Sequence, residues 1–507
     1  MPKRKNLVVI PTGVPGLDTV LGGGLMEGGL YLVEGIAGAG KTIMSSQICF
    51  QQVRAGKKVL YVTLIAESHI KLMQHLQRMS FYDESMVSRS LLFISGYQEL
   101  LRDGMTGFLA LIARALRDHR PAFMVLDGFR TAREFSETEL TLAKFIHELN
   151  ALVSTTRCTT LLLAPLSGNL PQAEHTLVDG LFELNLFTTG MRRSREIEIH
   201  KLRGAHHLLG KHFVNISGDG MTVFPRLEAV ESQREAEPMS LTQRLRFGIP
   251  SFDEMLVGGL VRGSTTLLIG ASGAGKTLLS LKFLEEGARN NEHCMYFGFY
   301  EAPARLIGKA DGVHIPLQKW VDKKLLEIVW HPAIELSLDE LAHDLLARVV
   351  KHKVSRLVID GVDGLRSAAL RQERFTLFLN ALTHKLRELN VTTLLTEELP
   401  FLGGGEHPAL ARASAMTENV IVFRYVEVAA RQHRLISVMK MRESDYDSSI
   451  REFVISSQGI DIGTRYHLGD QTFLPMNVDP APLGSAVEVP QKKPRKNAKG
   501  ATVGRSK

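Results

Sequence analysis

Two runs in the chain have the residue types and spacing to hold a string of phosphates. They are Gly35-Ile36-Ala37-Gly38-Ala39-Gly40-Lys41-Thr42 and Gly270-Ala271-Ser272-Gly273-Ala274-Gly275-Lys276-Thr277. In each, glycines let the backbone curl so that its N–H groups point inward, and the helix that follows adds the positive end of its dipole. Lys41 and Lys276 are expected to reach the β- and γ-phosphates of ATP, with the Thr42 and Thr277 hydroxyls ligating a magnesium ion (Mg2+). Ile43 and Leu278 carry each loop into its helix. The bland alternative, a Gly-rich turn without a ligand, sits poorly with two copies that each lie between an apolar run and a helical one.

The rest of a magnesium site calls for an Asp at the end of a buried strand. Phe123-Met124-Val125-Leu126-Asp127 and Leu357-Val358-Ile359-Asp360 both fit, and each is followed by Gly. A strand-end Asp that only caps a turn is the competing reading. Hydrolysis further needs a carboxylate to orient or deprotonate the attacking water, expected after the strand that follows the P-loop helix. Glu301 and Glu67 occupy that place, and Glu301 is also a candidate metal ligand. Glu67 reads equally as a helix N-terminal carboxylate.

A third pattern comes late in each half. Arg195, Ile197, Ile199, Lys201 and Arg203 alternate with other residues, as do Arg434, Ile436, Val438, Lys440 and Arg442. Period-two spacing predicts that all five share one face of a strand. Charges that protect a sheet edge are one explanation. The other is a set of cations presented to the γ-phosphate of a neighbouring subunit's ATP. A head-to-tail contact of that kind closes into a ring or grows into a filament.

The elements that must position these residues are duplicated. The opening motif Gly13-Val14-Pro15-Gly16-Leu17-Asp18 matches Gly248-Ile249-Pro250-Ser251-Phe252-Asp253, and the P-loops match at the same offset of 235 residues, Lys41 to Lys276. A period this long means two domains rather than a solenoid. The expected organisation is a first domain over 1–230, a polar linker over 231–243, a second domain over 244–465 and a C-terminal extension over 466–507. β-rich runs (Leu30–Glu34, Val59–Leu64, Phe123–Leu126, Thr160–Ala164) alternate with helical ones (Thr42–Ala55, Gly107–Arg117, Glu137–Val153). This predicts an α/β fold in each domain, a mostly parallel sheet with helices on both faces.

Composition narrows the class further. The 507 residues are 44% hydrophobic and 23% charged, as in a soluble globular protein, and the apolar runs are far below the roughly 20 residues that span a bilayer. Cys49, Cys158 and Cys294 match no metal or redox spacing and read as reduced core residues of a cytoplasmic protein. The net charge of +7 is carried by the tail Gln491 to Lys507, which holds seven basic residues and no acidic one. A nucleic-acid-binding face on the folded body therefore finds no support in the charge.

The opening motifs, both phosphate loops, Lys201-Leu202-Arg203-Gly204, Lys440-Met441-Arg442, Tyr425-Val426-Glu427 and Ile450-Arg451-Glu452-Phe453 together resemble the KaiC family, the tandem branch of the RecA-like ATPases. The resemblance covers about residues 8 to 465. It implies a homohexameric double ring with ATP between subunits, slow hydrolysis in the first domain, and serine/threonine autokinase and autophosphatase activity in the second. Regulatory protein partners are also implied. The contacts to a neighbour's ATP then fall on Arg195, Lys201, Leu202, Arg203, His207, Arg434, Lys440, Met441 and Arg442. The family's paired phosphoacceptors correspond to Ser414, which matches, and Ala415, which replaces the threonine. Thr417, one helical turn on, is a second candidate, or simply a helix cap. Each catalytic Glu pair keeps one carboxylate, in Glu67-Ser68 and Glu301-Ala302. A RecA-type DNA motor and a non-catalytic ATP-dependent scaffold are the rival readings. The first lacks basic or aromatic channel loops outside the tail.

Overall fold

A computed structural model describes residues 8–64, 69–136, 138–166, 173–231, 243–332, 337–399, 416–428 and 431–465. Strands of the two large sheets are numbered here in chain order. The first sheet comprises β1 (Leu30–Gly35), β2 (Val59–Thr63), β3 (Leu91–Ser95), β4 (Phe123–Asp127), β5 (Thr159–Ala164), β6 (Gly180–Thr189), β7 (Arg192–Leu202), β8 (Lys211–Ser217) and β9 (Gly220–Phe224). The second comprises β10 (Thr265–Gly270), β11 (Cys294–Gly298), β12 (Leu326–Trp330), β13 (Arg356–Asp360), β14 (Thr392–Glu398), β15 (Asn419–Val428), β16 (Arg431–Met441), β17 (Arg451–Ser456) and β18 (Gly459–Arg465).

Both sheets have the same order. It runs β3-β2-β4-β5-β1-β6-β7-β8-β9 in the first and β12-β11-β13-β14-β10-β15-β16-β17-β18 in the second. The first six strands of each are parallel, and the last three return antiparallel. The strand that leads into the phosphate loop lies inside the sheet with helices over both faces, so it is buried along its whole length. Its side chains alternate between two core layers. Tyr31 and Val33 pack with Met44, Ile48 and Phe50 of the helix Lys41–Arg54. Leu30 and Leu32 pack with Phe108, Ile112, Ile146 and Leu149 on the other side. Each aliphatic side chain buried this way contributes about 1.5–3 kcal/mol. The three cysteines are free and buried, Cys49 and Cys158 in these two layers and Cys294 in the core of the second domain.

The opening motif is structural. Asp253 accepts the N–H groups of Phe247 (2.7 Å) and Gly248 (3.1 Å), and Asp18 accepts that of Thr12 (2.9 Å). These bonds set the turn through which each domain's chain enters.

The long helix Tyr97–His119 extends well beyond the expected Gly107–Arg117. It breaks at Gly104, whose φ of 62° interrupts an amphipathic pattern that continues on either side. A larger correction concerns the late strands. Phe182 pairs with Ile199 but Leu181 pairs with Lys201, so His200 is an extra residue in β7. In the second domain Ile421 pairs with Val438 and Val420 with Lys440, so Met439 is extra in β16. A bulge of this kind shifts the alternation by one. Ile197, Ile199 and Leu202 consequently all enter the core layer beneath the helix Lys41–Arg54, and Ile436, Val438 and Met441 do likewise. The five alternating residues do not share one face. Lys201 and Arg203, like Lys440 and Arg442, are turned to the side opposite Arg195 and Arg434.

The two domains are tied by a short helix, Leu227–Glu231, lying on Phe375–Glu388 of the second domain. Leu227 joins the second domain's core. Arg374 bridges the domains, donating to Glu228 at 2.9 Å and to Asp339 at 2.7 Å. Arg371 pairs with Glu196 of β7 at 3.1 Å. No helix among the described residues is long and apolar enough to cross a membrane.

Candidate nucleotide-binding sites

Each phosphate loop leaves the carboxyl end of its central strand and runs into the first turn of a helix, where backbone N–H groups lack intrahelical partners. The turn depends on glycine. Gly40 and Gly275 have φ of 109° and 102°. A Cβ on Gly275 would lie 2.4 Å from a Phe453 ring carbon, and one on Gly40 would lie 2.6 Å from Ile216. Gly38 and Gly273 also have positive φ, with φ 80° and 73°. Ala39 and Ala274 are buried and anchor the loops, while Ser272 is exposed at the tip of the second. Gly35 and Gly270 close the two strands.

The lysines are folded over their own loops. Lys41 Nζ donates to the carbonyls of Gly35 (2.5 Å) and Ile36 (3.2 Å), and Lys276 Nζ to those of Gly270 and Ala271, both at 2.8 Å. Burial lowers both ammonium pKa values. The nearby Asp127 carboxylate opposes this at Lys41, and Glu398 and Asp360 oppose it at Lys276. Thr42 and Thr277 stand beside the lysines at the start of each helix, half-buried with Ile43, while Leu278 is buried.

Asp127 and Asp360 end β4 and β13 between the neighbouring strands. Each is held by a tyrosine of the neighbouring strand that the sequence analysis did not single out. Tyr61 donates to Asp127 Oδ2 at 2.8 Å, and Tyr296 donates to Asp360 Oδ2 at 2.7 Å. Thr396 donates to the other oxygen of Asp360. Burial and the adjacent carboxylate push both phenols up, so they remain donors. The two tyrosines keep the 235-residue offset of the phosphate loops, which is the signal that could have found them. A Tyr296→Phe variant is expected to lower second-domain ATP turnover by about tenfold and to raise the magnesium needed for half-maximal rate, because it frees an acid that the phenol orients. Its melting temperature should stay near wild type. An unchanged magnesium dependence would remove the orienting role.

Glu301 follows β11. Its Oε1 accepts from Lys309 Nζ at 2.7 Å, whereas Oε2 is buried without a hydrogen-bond partner among the described residues. Glu67 and Ser414 lie outside the described residues. Thr417 is described and is 1% exposed, just before β15. Beside the second loop, Glu397 and Glu398 end β14, where the first domain has Ala164 and Pro165. Sequence spacing did not single out this asymmetry.

The late cations divide between two places. Arg195 Nε donates to the carbonyl of Gly38 at 3.2 Å and Arg434 Nε to that of Gly273 at 3.4 Å, so both attend their own loops. Lys201 Nζ donates to the carbonyls of His175 (3.1 Å) and Thr176 (2.9 Å), and Arg203 to that of Thr176 at 3.0 Å. Lys440 Nζ donates to the Thr417 carbonyl at 2.8 Å. Six residues of strand, about 20 Å, separate Arg195 from Lys201. Leu202 and Met441 are buried between the cations. His207 is half-buried, with Nε2 lacking a hydrogen-bond partner among the described residues.

A central parallel strand, a glycine loop at its carboxyl end and an acid at the end of a nearby strand, present twice, define a tandem RecA-like P-loop ATPase. The profile of the family described as "ATPase: KaiC" matches residues 10–228 and 245–466, and the chain belongs to that family. It is 27% identical to the circadian clock oscillator protein KaiC of Parathermosynechococcus lividus, over 89% of this chain and 84% of the relative. It is 28% identical to the protein of the same name from a Picosynechococcus strain, over 90% and 89% of the two chains. Circadian clock protein KaiC3 of a Synechocystis strain is 27% identical, over 90% and 91%.

Proposed function

We propose that the chain works as a cytoplasmic homohexameric double ring with Mg-ATP between subunits. Its first domain hydrolyses ATP slowly, and its second passes the γ-phosphate to Ser414 as well as to water. The observation that carries this reading is the position of Lys201 and Arg203, and of Lys440 and Arg442. They lie far along the strand from their own phosphate loop, on the opposite face, in both repeats. From there they serve a neighbour's phosphates, with Leu202, His207 and Met441 shaping the same contact. Arg195 and Arg434 are assigned to the loop of their own domain.

The donors around each loop are hydroxyl and carboxylate oxygens, the set a hard dication takes. The buried Oε2 of Glu301, unpartnered among the described residues, fits such a group. Thr42 and Asp127 would hold magnesium in the first domain, and Thr277, Asp360 and Glu301 in the second. When bound with ATP, the ion neutralises charge on the β- and γ-phosphates. Glu301 and Glu67 orient the attacking group. Thr417 is buried in this conformation, which favours Ser414 as acceptor. A timing role, which the relatives' names describe for them, belongs to the same reading, as do regulatory protein partners.

Mixing tests the interfacial site. Subunits with Lys41→Ala and Lys276→Ala should be inactive alone, as should subunits with Lys201→Ala, Arg203→Ala, Lys440→Ala and Arg442→Ala. Random mixing should restore about a quarter of wild-type ATPase, because one interface in four pairs an intact loop with intact cations. Mixtures no more active than their components would sink the interfacial assignment. Phosphopeptide mapping after incubation with Mg-ATP should find phosphate on wild type and none on Ser414→Ala. An unmodified wild type would leave an ATPase without kinase activity.

A further inference from the structure

Glu231 ends the short helix by which the first domain rests on the second. Its side chain is 5% exposed, and neither carboxylate oxygen accepts a hydrogen bond among the described residues. The nearest side-chain nitrogens are Lys385 Nζ, 3.5 Å from Oε1, and His384 Nδ1, 3.6 Å from Oε2. A buried carboxylate without donors is costly unless a positive charge lies close enough to compensate it.

His384 and Glu388 are four residues apart on the helix Phe375–Glu388, so they share one face of it. Glu388 Oε1 is 3.6 Å from His384 Nδ1, while its Oε2 accepts from Lys385 at 2.7 Å. Each acid thus turns one oxygen to Lys385 and the other to His384. One donor atom from each of Glu231, His384 and Glu388 lies within 4.8 Å of the others. Ligand atoms bound at 2.0–2.2 Å around a tetrahedral zinc ion are roughly 3.3–3.6 Å apart. The two edges that meet at His384 Nδ1 have that length.

We propose that Glu231, His384 and Glu388 form a binding site for a divalent transition-metal ion of the zinc class, clasping the first domain to the second. One imidazole and two carboxylates suit such an ion better than calcium, which takes oxygen ligands. With neutral His384 the cluster has two negative charges against one on Lys385, so a dication is attracted. Lys385 pairs with the outer oxygen of each acid and so weakens that attraction. His384 is 32% exposed at its side chain, which leaves solvent a way in. A bound ion favours the docked arrangement by mass action. This site is separate from the phosphate loops and does not rest on the interfacial reading of them.

The test uses the full chain, stripped with chelator, free of nucleotide and dialysed against zinc. The 18 histidines supply background binding, so the readout is the difference between variants. Wild type should retain one more equivalent of zinc than His384→Ala or the near-isosteric Glu388→Gln. Lys385→Met should retain that equivalent and bind it several-fold more tightly. Zinc should raise the melting temperature of wild type and leave that of Glu388→Gln unchanged. Equal zinc content in wild type, His384→Ala and Glu388→Gln would overturn the proposal, leaving an ion-paired cluster balanced by Lys385. Loss of the equivalent in Lys385→Met would overturn it equally, since the ammonium would then be the essential cation.

Discussion

Replacing Lys41 and Lys276 together by alanine is expected to abolish ATP turnover, and each single replacement to lower the turnover of its own domain by about 100-fold or more. Each ammonium is already held over the loop by two carbonyls, at 2.5 and 3.2 Å for Lys41 and at 2.8 Å twice for Lys276. A phosphate arriving there meets a cation already positioned over the loop, and alanine removes that charge while leaving the loop's N–H groups in place. The two domains should respond differently in detail. Lys276 feels Glu398 as well as Asp360, whereas Lys41 feels Asp127, with Pro165 in place of the second acid. Single-turnover assays on the two single variants separate the domains. A double variant that hydrolyses ATP at more than about a tenth of the wild-type rate would remove the lysines from the chemistry.

Arg356→Ala is expected to destabilise the second domain by about 3–5 kcal/mol, the usual effect of removing one partner from a buried ionic cluster. At that domain's size this corresponds to a fall of about 10 °C in its melting transition. The Arg356 side chain is 1% exposed. It donates to Glu292 at 2.5 Å and to the carbonyls of Arg246 (2.7 Å) and Phe283 (3.0 Å), and it stacks 4.6 Å from the Phe283 ring. Gly287 makes room for it, since a Cβ there would lie 2.5 Å from Arg356 Cδ. Glu292→Gln, which keeps both carbonyl bonds, should cost much less. Calorimetry should show the second-domain transition moved and the first-domain transition in place. A shift below about 2 °C in Arg356→Ala would mean that water replaces the guanidinium without penalty.

The first domain meets the same need with other residues. At the position of the Arg246 carbonyl stands that of Pro11, and Gln52, which replaces Gly287, donates to it at 2.6 Å. Phe123 stands where the second domain has Arg356. The duplicated fold keeps the satisfied carbonyl and changes the donor. Neither solution is visible as a motif, because the donor and acceptor are far apart in sequence.

Much of the rest is legible in the chain itself. Glycine, lysine and threonine at fixed spacing identify the phosphate loops, since glycine adopts the positive φ that turns N–H groups inward while lysine and threonine supply the cation and the hydroxyl. Apolar runs of five or six residues separated by helical stretches establish a parallel sheet, and a constant offset establishes the duplication. These are local properties, written in consecutive residues. The division of the late cations is not local. A bulge exists only relative to the partner strand, so alternation in β7 and β16 predicted one face where pairing produced two. The tyrosines on Asp127 and Asp360 were hidden for a related reason. An aromatic residue on a buried strand reads as core, and only the neighbouring strand shows that its hydroxyl meets a carboxylate. The docking of Glu231 against His384 and Glu388 likewise joins residues about 150 positions apart. Chain spacing carries no trace of it, because it arises where one folded surface is laid on another.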